Sequence, residues 1–476
     1  LILALAGVNQ ALAQAAGSGQ LALLAAGRAP LPVFVSPAPA ADEIEAAAEW
    51  SRVLGKMAGA PVPVKIEAAG APFPPGVYVG NTTLGRALLA QHPPTDDDGF
   101  AIFADAANQT LVLAGANPRA TDFAVDWLLE RAGGVNWYYP GPLGEIIPPR
   151  TDWAVPAGLT ISVPAYLSRE FTGLDNRAGR RWARRNLLEG RFEFTHHLYA
   201  VLPPELFDDE PEFFPVYHGE RFQPPWRDAQ TWQPDLANPA VASFAAARAR
   251  RFFDVHPAAP SYSLGLNDNV AFDDGPGTLA LTTPRRWFRG RPDYSDLVFT
   301  FMNRAADDLA PSYPGKYLGC LAYYWCENPP SFPVRPQVLP YLTNDRSFYT
   351  DPAWAAEDLD LIRRWAAAGP RVIGIYDYYY GGVFSVPRIF ISAEVLSLRG
   401  DYAAGARAFF GELYPQWDYD ALKAWLAARL LWDPSADTIA LTAQFFRDLY
   451  GPAAGDVAEF FQTAEQAWRD QPGPPR

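Results

Sequence analysis

Apolar and polar positions follow two successive patterns along this chain. From residue 20 to 160, short apolar runs alternate with stretches of helical period. Strands are predicted at 32–35 and 76–80, a hairpin from 99–102 and 110–114, and helices at 43–57 and 121–131. In the last of these, Phe123, Ala124, Trp127 and Leu128 fall at i, i+1, i+4 and i+5, one face of a helix. This predicts a compact α/β domain over 14–160, closed by the Pro-rich link 140–156. From Tyr166 onward the units lengthen to a strand followed by a helix. Strands are expected at 166–172, 192–198, weakly at 230–232, then at 261–266, 316–325, 338–342, 371–376 and 406–410. Repeated βα units are what a (β/α)8 TIM-type barrel needs. The barrel is assigned to 161–432 and a helical C-terminal segment to 433–476.

Several barrel strands are expected to end in the same way, with an apolar or aromatic run stopping at a carboxylate. The run from Ser261 stops at Asn267-Asp268-Asn269, that from Tyr317 at Glu327, that from Arg371 at Asp377 and that from Ala406 at Glu412. Chemistry in such barrels sits at the C-terminal ends of the strands, so these acids are placed to meet in one mouth. Glycoside cleavage needs one group to protonate the departing oxygen and a second to stabilise or attack the anomeric carbon. Glu327 is the expected general acid/base and Asp268 the second carboxylate, with the exchanged assignment as the alternative. Asn267 is a candidate partner of Asp268 in orienting a substrate acetamide, against the alternative that Asn-Asp-Asn is an ordinary turn. His197 with its neighbour His196, Trp325, Asp377, Tyr378, Glu412 and Arg169 are candidate sugar contacts. Trp417 is a further stacking candidate. Each has a structural alternative as an ion-pair partner or core residue.

Composition narrows the function. The net charge of −14 argues against a nucleic-acid partner, which needs clustered cations. Arg180, Arg181, Arg184 and Arg185 are the main exception, and their period fits a helix face paired with acids. Aromatics make up 14% of the chain, enough to supply stacking faces for sugar rings as well as a core. The five His show no metal-ligand spacing, and no phosphate-binding or dinucleotide fingerprint is present, so neither a metal nor another cofactor is implied. Cys320 and Cys326 read as small buried residues. Residues 1–13, ending Ala11-Leu12-Ala13, read as the remnant of a secretory signal peptide, which predicts an exported protein, periplasmic or extracellular, and no stretch is long enough to span a membrane.

Short motifs along the chain carry a family resemblance. Ser263 to Asn269, Pro211-Glu212-Phe213-Phe214-Pro215, Tyr323-Tyr324-Trp325 before Glu327, Phe410-Gly411-Glu412, Leu431-Trp432-Asp433-Pro434 and Tyr450-Gly451 resemble the bacterial domain-of-unknown-function family 4838, part of which is glycoside hydrolase family 163. The preceding domain, with Gly133 to Pro140 near its end, is similar to the N-terminal domain of α-glucuronidases and β-hexosaminidases. The resemblance implies an exported, retaining endo-β-N-acetylglucosaminidase acting on N-glycans, with an oligosaccharide or glycoprotein glycan as its partner. Two rivals stand beside it: another glycosidase, for instance one specific for uronic acids, and a catalytically silent carbohydrate-binding protein. Arg169 is the only obvious basic residue at a strand end, which weighs against a uronate.

Overall fold

The computed structural model describes residues 19–68 and 72–471; the signal-peptide assignment lies outside them. Two compact units form. One comprises the described residues up to Leu167 with Gly173–Glu189 and Trp417–Phe461; the other comprises Ser168–Thr172, Gly190–Gln416 and the described residues from Gln462 on.

The first unit is built on a six-stranded mixed sheet in the order Gly158–Ser162, Phe100–Asp105, Thr110–Gly115, Gly76–Val79, Val33–Val35, Val64–Ile66. The expected hairpin is present and longer than its apolar core suggested, because the Asp105 carboxylate accepts the N–H groups of Ala107 and Asn108 and so shapes the turn. Phe34, Tyr78, Leu88, Phe103 and Val112 fill one face of the sheet. Helices Ala41–Ala58 and Pro118–Arg131 pack on one another, the second started by Asn117, whose side chain accepts the Ala120 N–H, and by Pro118 in the first turn. The arginine-rich segment forms the helix Arg177–Arg185. Three of its guanidiniums are ion-paired: Arg181 with Asp122 at 3.1 Å, Arg184 with Asp42 at 3.1 Å and Arg185 with Glu49 at 2.7 Å. This is a helix face matched to acids, as its period predicted.

The second unit carries the parallel sheet. Its strands are β1 (Ser168–Phe171), β2 (Ser261–Ser263), β3 (Tyr317–Ala322), β4 (Val338–Asn344), β5 (Gly374–Tyr378) and β6 (Ala408–Glu412). Their order is β1-β6-β5-β4-β3-β2, all parallel. First and last strands are neighbours, the cyclic order of a barrel. Phe194 closes the interior. Its ring lies 3.5 Å from that of Tyr341 on β4 and makes edge contacts with Tyr376 on β5 and Phe410 on β6, while its own segment sits beside β2. A sheet whose far strands converge on one ring is curled. Helices Thr438–Tyr450 and Ala454–Arg469 end the described chain.

Six strands form the sheet where eight were expected, and the two gaps have a physical cause. Residues 192–198 form one isolated bridge, His196 to Gly265, just past the end of β2. Serine side chains replace the missing ladder: the Ser261 hydroxyl accepts the Glu193 N–H, and the Ser263 hydroxyl donates to the Thr195 carbonyl. Residues 230–232 form no strand. There the Gln233 side-chain amide accepts the Asn267 N–H at 3.1 Å and donates to the Asn267 carbonyl at 2.7 Å, doing the work of a strand partner. The run expected from 316 to 325 also stops early, at Ala322, because Tyr324 adopts a left-handed backbone (φ 57°).

Close approach of the 192–198 segment depends on glycine. A Cβ on Gly319 of β3 would sit 2.0 Å from the Glu193 carbonyl oxygen, whereas one on Gly315 would meet nothing within 4 Å. Gly319→Ala is expected to cost about 1–3 kcal/mol in chemical denaturation through overpacking against backbone, with Gly315→Ala near neutral. Equal stability of the two variants would contradict this packing.

Candidate functional site

Two adjacent cavities open in the second unit beyond the C-terminal ends of β2, β3 and β4. The first, about 510 Å³, is lined by Glu327, Arg289, Arg291, Asp345, Trp354 and Glu357 among others. The second, about 370 Å³, is lined by His196, Asp268, Phe272, Trp325 and neighbours. Tyr323 and Tyr324 border both. Both volumes are in the range of small-ligand sites.

Glu327 reaches its cavity through a short 3-10 turn, Tyr324–Cys326, that follows β3. Two bonds hold that turn: Tyr294 N–H donates to the Trp325 carbonyl at 2.7 Å, and the Trp365 indole donates to the Glu327 carbonyl at 2.8 Å. The carboxyl itself is buried, with a side chain 6% exposed, and contacts Arg289. Burial pushes its pKa up to about 7; Arg289, Arg346 and Arg291 pull it down and Asp358 pushes it further up. Burial prevails because the Arg289 charge is divided among three carboxylates: Glu327, Glu357 at 2.8 Å and Asp358 at 3.4 Å.

Arg289 comes from a β-hairpin between β2 and β3 that strand-end reasoning did not find. Arg286–Phe288 pairs with Arg291–Asp293, leaving Arg289-Gly290 as a two-residue turn with both residues left-handed (φ 48° and 72°). That is the requirement of the hairpin turn matched to strand twist, and the Arg-Gly pair was its sequence signal. The guanidinium lies 4.3 Å from the Trp354 ring, so stacking as well as charge holds it. Left-handed non-glycine residues are costly, and here two of them, Arg289 and Tyr324, flank one acid.

Asp268 sits differently. Its side chain is 64% exposed, and its backbone N–H is fixed by the Gln230 side chain at 3.0 Å. The flanking asparagines make the turn that projects it. Asn269 accepts the Ala271 N–H at 2.7 Å and donates to the Trp232 carbonyl. Asn267 is buried, accepting the Tyr199 N–H at 2.7 Å and donating to the Trp232 carbonyl at 2.8 Å. These bonds tie the Asn267 side chain into the turn that projects Asp268, at the wall of the same cavity.

His196, more than His197, belongs with this cavity. Its Nδ1 lies 2.6 Å from the Leu266 carbonyl, which can only accept, so Nδ1 carries a proton and Nε2 faces Asp268 Oδ1 at 3.6 Å. His197 turns to the Ser263 carbonyl and packs edge-on to Tyr262. Trp325 lines the Asp268 cavity in a stack with Tyr294 and Phe272. Tyr378 lines the Glu327 cavity, its hydroxyl beside that of Tyr323. The Tyr323 ring also lies within the field of Asp268. Glu412 accepts the Tyr376 hydroxyl at 2.8 Å and lines neither cavity. Asp377 is buried, its carboxyl pushed up to about 7 by desolvation, and accepts the backbone N–H groups of Arg346 and Tyr378. Arg169 is buried within β1. Trp417 lies in the first unit, packed edge-on to Trp182. Cys320 and Cys326 are free and buried. Among the described residues no group of His, Cys, Asp and Glu could hold a metal ion, and no helix is long and apolar enough to cross a membrane.

Residues 139–462 match the family described as Domain of unknown function (DUF4838), and the chain belongs to that family. Among solved structures it is similar to CpGH84B, at 9% identity and a TM-score of 0.47, covering 94% of this chain and 74% of that one. It is similar also to the Streptomyces plicatus N-acetyl-beta-hexosaminidase, at 13% identity and a TM-score of 0.38, covering 92% and 94%. A family 89 glycoside hydrolase from Clostridium perfringens matches at 9% identity and a TM-score of 0.44, covering 91% of this chain and 54% of that one. No curated protein matches the chain.

Behind Glu327 a buried charge network continues inward. Arg346 pairs with Asp358 at 3.0 Å and Asp401 at 3.3 Å, and Tyr349 bonds both acids. The cations hold Asp358 below the usual carboxylate range, while burial and its acidic neighbours push Asp401 up to about 8. Asp401 is thus neutral at pH 7, and Asp401→Asn is expected to change stability by less than about 1 kcal/mol. Removing the cation with Arg346→Met strands a buried charge, at a cost of about 3–5 kcal/mol at pH 7. Asp358 is ionised above its unfolded-state pKa, so this cost shrinks as acid neutralises it. Denaturation of the two variants at pH 7 and pH 4 checks both signs; equal losses at pH 7 would contradict the assignment.

Proposed function

We propose that this chain is an exported glycoside hydrolase that cleaves β-linked N-acetylglucosamine-containing glycans, acting within the chain of N-glycans and with retention. The observation that carries the reading is Glu327: a carboxyl raised to about 7, at the strand-end mouth, in an aromatic-walled cavity beside an exposed second carboxylate. A general acid works best with a pKa near the working pH. Glu327 gives its proton to the departing glycosidic oxygen as the bond to the anomeric carbon breaks. In the substrate-assisted route the acetamide oxygen bonds to that carbon, and a water activated by the Glu327 carboxylate then opens the ring intermediate, so configuration is retained. Asp268 is exposed to accept the acetamide N–H, with His196 beside it. Tyr323, which borders both cavities, has a hydroxyl placed to hold a sugar or acetamide oxygen. The sugar itself is supported by the resemblance of the Asn267-Asp268 and Tyr-Tyr-Trp motifs to glycoside hydrolase family 163.

The test is glycan release from a complex N-glycoprotein, with products identified by mass. Wild type is expected to leave one N-acetylglucosamine on the protein, and Glu327→Gln and Asp268→Asn each to lose at least about 100-fold in rate while remaining folded. Because Glu327 must be protonated to act, kcat/KM is expected to hold below pH 7 and to fall as pH rises through about 7. Release unaffected by Glu327→Gln would overturn the reading.

A further inference from the structure

The hairpin that reaches the Glu327 cavity brings two arginines, and they differ in what holds them. Arg289 is fully engaged by Glu327, Glu357 and Asp358. Arg291, two residues on, is half-buried and lines the same cavity, with its guanidinium 4.2 Å from the centre of the Tyr324 ring. Among the described residues no carboxylate lies within ion-pair distance of it. The other acids of the cavity are taken: Glu357 by Arg289 at 2.8 Å and Asp345 by Arg388 at 2.7 Å. Stacking on an aromatic face restrains a planar guanidinium and leaves its N–H donors available to a ligand in the cavity it lines. A preorganised, uncompensated guanidinium in a cavity is a receptor for a planar or tetrahedral anion.

We propose that Arg291 selects glycans whose sugar in this cavity carries an anionic group, a carboxylate or a sulfate. This rests on the reading of the cavity as a glycan site and narrows it. The cation arrives on a hairpin instead of a strand end, which is why reasoning from strand ends weighed against acidic sugars. A net charge of −14 elsewhere repels anions, so the selectivity is local to this fork and weakens with salt.

Binding by titration calorimetry, in a Glu327→Gln background so that nothing is consumed, tests the proposal with three ligands of matched length. These are neutral chitotriose, its 6-O-sulfated form, and a trisaccharide of alternating N-acetylglucosamine and glucuronate. At least one anionic ligand is expected to bind about tenfold or more tighter than chitotriose, in keeping with a charge-assisted bond. Which one does so separates carboxylate from sulfate. Arg291→Ala is expected to erase that preference, bringing the ratio of anionic to neutral affinity to about one; Arg291→Lys restores part of it. Equal affinity for neutral and anionic ligands, or a preference that survives Arg291→Ala, overturns the proposal while leaving the glycan site standing. Failure of all three ligands to bind overturns both.

Discussion

Burial of the Glu327 carboxyl against Arg289 is the constraint around which the site is arranged. A carboxylate removed from water is costly unless charge or proton compensates it, and a guanidinium shared with Glu357 and Asp358 compensates only in part. The remaining deficit is met by a proton, which holds the group near neutrality in its titration. The same deficit accounts for the backbone around it. A tight hairpin with a left-handed arginine and a left-handed Tyr324 are both unfavourable alone, and each is held by hydrogen bonds, stacking and burial from the elements next to it.

Asp268 follows the opposite logic. It is exposed and hydrated, and the ordering effort goes into its neighbours: Asn267, Asn269, Gln230 and Gln233 together fix a turn from which it projects. One acid buried and one exposed is an arrangement that separates the tasks of two carboxyl groups by environment. Tyr323 stands between them, bordering both cavities and bonded to Tyr378.

Much of this was legible in the chain. Apolar runs of five and six residues ending in an acid marked the ends of β5 and β6, and the helical period marked the ion-paired arginine face of Arg177–Arg185. What was not legible arises where side chains do backbone work. Ser261, Ser263 and Gln233 stand in for ladder bonds, so two expected strands do not form, and no pattern of apolar residues reports that. Alternation also could not say which of His196 and His197 turns toward Asp268, because the segment is tied by one bridge and has no regular register. Asp377 and Glu412 ended their strands as expected, yet their carboxyls bond to the backbone of Arg346 and to the Tyr376 hydroxyl. Strand-end position places an acid at the mouth; only its partners decide whether it faces a ligand.

The most direct measurement is the titration of the Glu327 carboxyl itself, by carbon-13 NMR of protein labelled at glutamate side chains, the signal being assigned by its loss in Glu327→Gln. A buried acid undercompensated by a shared arginine is expected to titrate near pH 7. Titration near the ordinary glutamate value of about 4.3 would contradict the account, since Glu327 would then be an ionised partner of Arg289 with no proton to give.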